Sequence, residues 1–133
     1  MCFEHVPWNA LRVTLRTVVI DDNAAFISAA RSILDGSEFA IVGSATSAEE
    51  GLRVVEEMRP EVVLLDIDLG EDSGFSLAPR LRRGEHGAML KLILISAHPE
   101  AEFADLIAES RSLGFVAKSE LSVRSLTRLI DAG

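Results

Sequence analysis

Basic side chains are scarce in this chain, and lysine is the scarcest. Lys and Arg total 13 against 21 Asp and Glu, Lys91 and Lys118 are the two lysines, and the formal net charge is −8 at pH 7. Phosphate contacts need a basic face, so this balance argues against nucleic-acid binding by the domain itself. Cysteine is nearly absent: a lone Cys2 closes no disulfide and fits a reducing compartment, with the cytoplasm the expected location. No stretch approaches the roughly 18–20 uninterrupted apolar residues of a membrane-spanning helix. Residues 1–16 hold Glu4 and His5 and no continuous apolar core, which makes a poor secretory signal. Trp8 is the single tryptophan, and the chain carries no internal repeat or low-complexity tract.

What is present suits one globular domain: 133 residues, 48% apolar and 26% charged. Four apolar runs organise it, Thr17-Val18-Val19-Ile20, Val62-Val63-Leu64-Leu65, Leu92-Ile93-Leu94-Ile95 and Gly114-Phe115-Val116-Ala117. They stop, in turn, at Asp21-Asp22, Asp66, Ser96 and Lys118. A hydrophobic run ending in a charged or hydroxyl residue is how a buried parallel strand reads when its tip enters a site. Further strand signals lie at 39–44, and the four runs predict strands at 17–21, 62–66, 91–96 and 114–117.

Helical patterns separate the strands. The first is predicted over 23–35, with Phe26, Ile27, Ala30, Ile33 and Leu34 on one face and Gly36 as its stop. The second opens on a Ser47/Glu50 capping box and is closed by Pro60. After a loop with Gly70, Asp72 and Gly74, a third is predicted near 75–83, where Pro79 belongs in the first turn or at a kink. A fourth is expected over 99–110, and a fifth from Ser119 or Ser122, repeating Leu121, Leu126, Leu129 and Ile130. Strands joined through such helices make right-handed crossovers and a parallel sheet covered on both faces, with strands one and three central. Residues 1–16 are read as an N-terminal extension and 17–133 as the domain, although the alternation from Leu11 to Arg16 favours some lengthening of the first strand.

In an open parallel sheet, ligands bind beyond the carboxyl ends of the strands where the strand order reverses. With strands one and three adjacent there, Asp21, Asp22 and Asp66 converge. Clustered carboxylates raise one another's pKa unless a cation lies between them. A hard, oxygen-loving ion such as Mg2+ suits them and leaves coordination positions for a phosphoryl oxygen. One carboxylate can then attack phosphorus while Lys118 neutralises oxygens and Ser96 offers a hydroxyl. Each feature alone has a plainer reading: a solvated turn for Asp21-Asp22 and Asp66, a helix cap for Ser96, a surface charge for Lys118, a core aromatic for Phe115. Independent turns have no reason to fall in register at four strand tips, and the joint pattern favours a site.

These residues resemble the receiver domain of two-component response regulators, the CheY-like superfamily, over roughly residues 17–132. Asp21-Asp22-Asn23 is similar to the family's acidic pair, and Pro60 to Ile67 to the segment ending in its phosphoacceptor aspartate. Ile95-Ser96-Ala97 resembles the hydroxyl followed by a small residue, and Gly114 to Lys118 the segment with the switch aromatic and lysine. The spacings of 45 residues from Asp21 to Asp66, 30 on to Ser96 and 22 on to Lys118 fit as well. Two positions depart: Gly70 stands where the family usually has proline, and Ser119-Glu120-Leu121 follows Lys118 in place of proline. That Lys-Ser-Glu-Leu stretch is similar to receivers joined to LuxR/NarL-like helix-turn-helix outputs.

The resemblance implies a flavodoxin-like, doubly wound three-layer (βα)5 fold with strand order 2-1-3-4-5. It implies Asp66 as phosphoacceptor and Mg2+ as cofactor, held by Asp21, Asp22, Asp66 and the Asp68 backbone carbonyl. Ser96 and Lys118 contact the phosphoryl group, Ser96 and Phe115 form the switch, and Asp68 and His98 tune hydrolysis. The expected partners are a sensor histidine kinase and a second copy of the chain. The copy would meet the face of the fourth helix, fifth strand and fifth helix, or another helix face. DNA is expected only through an output domain that this chain lacks. Two alternatives stand beside this switch. One is a receiver-like interaction module that works without phosphorylation. The other is an Mg2+-dependent phosphatase of the haloacid dehalogenase type, suggested by Asp66-Ile67-Asp68.

Overall fold

Strand and helix alternate from Leu15 onward in the computed structural model, which describes residues 14–83 and 89–132. The first half comprises β1 (Leu15–Ile20), α1 (Ala24–Leu34), β2 (Phe39–Ala45), α2 (Ala48–Met58) and β3 (Val62–Asp66). The second comprises α3 (Gly74–Arg82), β4 (Lys91–Ser96), α4 (Ala104–Glu109), β5 (Gly114–Ala117) and α5 (Val123–Ala132). The five strands of the main sheet run parallel in the order β2-β1-β3-β4-β5, the flavodoxin-like arrangement expected. β1 and β3 are neighbours, with Ile20 opposite Leu65, so the residues that follow them emerge side by side.

Alternation along the strands divides the core in two. Val18, Ile20, Val63, Leu65, Leu92 and Leu94 face one layer, where Ala48, Leu77 and Leu81 of α2 and α3 pack. Val19, Val62, Leu64, Ile93 and Ile95 face the other, against Ile27, Ala30 and Leu34 of α1 and Leu126 of α5. Every residue of β3 is buried, because both of its faces are covered. Among the described residues no helix is long and apolar enough to cross a membrane.

Several details refine or depart from the sequence expectations. β1 starts at Leu15, a lengthening of the kind the alternation up to Arg16 favours, and its N–H finds the Glu38 carbonyl at 2.7 Å. Cys2, Trp8 and the alternating residues up to Val13 lie outside the described residues. Ile33, expected on the apolar face of α1, is 42% exposed. The capping box of α2 is shared between two residues: Ser47 Oγ accepts the Glu50 N–H, but the Glu50 carboxylate accepts from the Thr46 N–H. Of the two placements open to Pro79, the first turn is not the one adopted: it sits inside α3. The expected fourth helix is divided into a 3-10 turn, Glu100–Phe103, and a six-residue α4. Neither piece has a side-chain N-cap or a fully buried residue, so little holds a longer helix together.

Candidate functional site

The site forms at the carboxyl edge of the sheet, where the strands hand over to loops. Asp21 directly follows β1, and its N–H bonds to the Ala45 carbonyl at 2.9 Å. Its Oδ1 accepts the Asn23 N–H at 2.8 Å. Asn23 in turn caps α1, accepting from the N–H groups of Ala25 and Phe26. This short turn fixes the fully buried Asp21 and leaves Asp22 exposed. Asp66 is the last residue of β3, 3% exposed, and its Oδ1 accepts the Asp68 N–H at 3.2 Å. Ser96 ends β4, buried, with its Oγ accepting the His98 N–H at 2.9 Å.

Lys118, immediately after β5, ties the tips of β1 and β3 together. Its Nζ lies 2.7 Å from Asp21 Oδ2 and 3.3 Å from Asp66 Oδ2. The contact with Asp66 is a hydrogen bond, and the shorter one with Asp21 is a close ion pair that balances the charge of a fully buried carboxylate. Burial and the neighbouring Asp21 charge push the Asp66 carboxyl up from 3.8 to about 7, against the opposing pull of the Asp68 N–H and Lys118. For Lys118, burial acts downward, but the adjoining Asp21 and Asp66 outweigh it and raise the ammonium pKa.

Asp21, Asp22 and Asp66 each offer an oxygen, and the three lie within 4.8 Å of one another. An all-oxygen donor set of three carboxylates, two of them buried, fits a hard divalent cation. Asp68 is exposed, and its side chain accepts the Gly70 N–H at 3.2 Å. His98 stands toward the helix-four segment, its Nδ1 4.0 Å from Glu102 and its ring edge-on to Phe103. Phe115 is half-buried against the core layer that holds Phe75, Phe103 and Ile107.

Three features escaped the sequence reading. The loop after β3 is a small hairpin, Asp68–Leu69 paired with Asp72–Ser73, turning through Gly70 at φ +77°. That left-handed backbone, which glycine adopts readily, lies where proline would be locked out. Gly74 starts α3 so close to β3 that a Cβ there would collide with the Asp66 carbonyl oxygen. A glycine eight positions after Asp66 was the available signal. Phe26 places its ring centroid 4.7 Å from Lys118 Nζ, and helical spacing marked it merely as core.

Comparison with known proteins finds a family whose model covers most of the chain. The response regulator receiver domain matches residues 17–131. The DNA-binding transcriptional activator EvgA of Escherichia coli K12 is 26% identical over 106 residues, covering 80% of this chain and 51% of EvgA. The chain thus spans about half the length of this relative. A LuxR-family two-component response regulator from Aurantimonas superposes with a TM-score of 0.76 at 24% identity, covering 90% of this chain and 84% of that one. A response regulator from Burkholderia pseudomallei, solved with a phosphorylated aspartic acid, calcium ion and citrate, gives 0.74 at 23% identity, covering 86% and 65%. At these identities the structural likeness establishes the fold.

Proposed function

Because the chain belongs to the response regulator receiver domain family, we propose that it is a phosphorylation-dependent switch in which Asp66 takes a phosphoryl group from a sensor histidine kinase. The observation that carries this reading is the Lys118 ammonium set between the buried carboxylates of Asp21 and Asp66. A structural ion pair needs one carboxylate, whereas a phosphoryl site needs a nucleophile, metal-binding acids and a movable cation together.

An ionised Asp66 oxygen attacks phosphorus as the P–N bond of the donor phosphohistidine breaks, its electron pair leaving on the imidazole nitrogen. Lys118 trades its bond to Asp66 for one to a phosphoryl oxygen. The Ser96 oxygen already accepts the His98 N–H, so its own proton is available for a second phosphoryl oxygen. Asp21, Asp22, Asp66 and the Asp68 carbonyl are the residues to hold Mg2+. When bound, Mg2+ keeps the carboxylates ionised and polarises the phosphoryl oxygens. Asp68 and His98 flank the site and tune how water reaches the phosphoryl group.

The readout follows from the position of Ser96. Its movement toward the phosphoryl group opens space beside β5 into which Phe115 turns, altering the face formed by α4, β5 and α5. Moving such an equilibrium from mostly off to mostly on takes about 5.5 kcal/mol of differential interaction. Two or three charge-assisted bonds at roughly 1.5–3 kcal/mol each supply most of it. That face is proposed to engage a second copy or an attached output, DNA-binding by analogy with EvgA, in the cytoplasm. Catalysis is limited to the domain's own phosphorylation and dephosphorylation.

The test is incubation of the full chain with acetyl phosphate and Mg2+, followed by intact mass. A gain of one phosphoryl group in the wild type, absent in Asp66→Asn and with EDTA, supports the switch. No gain in the wild type favours a module that works without phosphorylation.

A further inference from the structure

We infer that Phe26 is a positioning residue for this phosphoryl transfer, its ring holding the Lys118 ammonium where the phosphoryl oxygens arrive. The inference rests on the switch reading and extends it to a residue outside the acidic pocket. Lys118 Nζ meets three groups: Asp21 Oδ2 at 2.7 Å, Asp66 Oδ2 at 3.3 Å and the Phe26 ring at 4.7 Å from its centroid. An ammonium at that distance from an aromatic face is attracted by the ring's negative quadrupole, more strongly where water is kept away. The Lys118 side chain is 17% exposed, so water reaches it poorly.

Lysine carries its charge on a flexible four-carbon stem, and a flexible cation must be ordered before it stabilises a transition state. When Asp66 forms its bond to phosphorus, one of the two carboxylate partners of Lys118 is consumed. The ring is not, because α1 carries it. The turn that orients Asp21 also fixes Phe26: Asn23 donates its N–H to Asp21 Oδ1, and the Asn23 side-chain oxygen accepts the Phe26 N–H at 3.3 Å. One capping residue therefore sets the distance between a metal-binding acid and the wall behind the lysine. Phe26 is half-buried against the α1–α5 core layer, so it also packs. Separating packing from charge is the purpose of the test.

Phenylalanines with one, two and three ring fluorines are inserted at position 26 of the full chain. Fluorine drains the face of the ring with little change in bulk. The rate of labelling by acetyl phosphate in saturating Mg2+ is followed by intact mass. The expected result is a stepwise fall reaching about 3–10-fold with three fluorines. Phe26→Leu should fall as far, Phe26→Tyr should restore the rate, and the fluorine series should flatten in Lys118→Gln. Equal rates across the series, or wild-type rates in Phe26→Leu, would overturn the role of Phe26 while leaving the switch intact. An unmodified chain that takes no phosphoryl group would overturn both.

Discussion

At Asp66 burial and charge are in conflict. Its carboxyl is displaced from 3.8 to about 7 by burial and by Asp21. Between those values the native protein holds a proton that the unfolded chain has released, so stability falls as pH rises through that window. Solvent at the mouth of the site screens part of the penalty. Asp66→Asn, which cannot ionise, should therefore be more stable than the wild type at pH 8 without divalent cations, by about 1–2 kcal/mol. The difference should shrink toward pH 4, as urea unfolding at several pH values would show. A gain that is independent of pH would contradict the assignment. Gly74 gives a second prediction at this scale. A Cβ there meets the Asp66 carbonyl oxygen and lies 3.0 Å from Ile67 Cα, both backbone atoms with little freedom to yield. Gly74→Ala should cost roughly 1–3 kcal/mol in urea unfolding and slow labelling of Asp66 as well.

At the scale of elements, the strands were legible and the connections less so. Runs such as Val62 to Leu65 are apolar on both faces because helices cover both, and that composition is visible in sequence. The acidic pair, Asp66, Ser96 and Lys118 were legible for the same reason, as polar endings to such runs. The division of the fourth helix was not, because it follows from what fails to pack there. Arg82 was not read either: from α3 it donates to the carbonyls of Ser110 and Arg111, 28 and 29 residues away, closing the C-terminal end of α4. Only tertiary structure brings such partners together. Arg82→Met should cost about 0.5–1.5 kcal/mol in urea unfolding by removing those two hydrogen bonds. α4, with no fully buried residue, should show faster amide exchange than α1 or α3. Slow exchange throughout α4 would argue against its use as a movable readout.

For the whole molecule, the sheet separates a stable two-layer core from a charged edge. Mg2+ bound to the native edge alone would stabilise the fold by mass action, by about 2.7 kcal/mol at a hundredfold excess over Kd. With Asp66 a ligand, as proposed, binding expels its proton, so apparent affinity should rise with pH up to about 7 and level off above it. Thermal unfolding with and without Mg2+ at pH 6 and pH 8 reads this out, with the larger shift expected at pH 8. Equal shifts at both would mean that the cation binds away from Asp66. The central claim, that Asp66 carries the phosphoryl group, is tested most directly by chemical trapping. Borohydride reduces an aspartyl phosphate to homoserine, so the chain is labelled with acetyl phosphate and Mg2+, reduced, digested and mapped by mass. Conversion of Asp66 to homoserine, dependent on both reagents, is the result predicted. Homoserine at another aspartate, phosphate retained on Ser96, or an unmodified Asp66 would contradict the account.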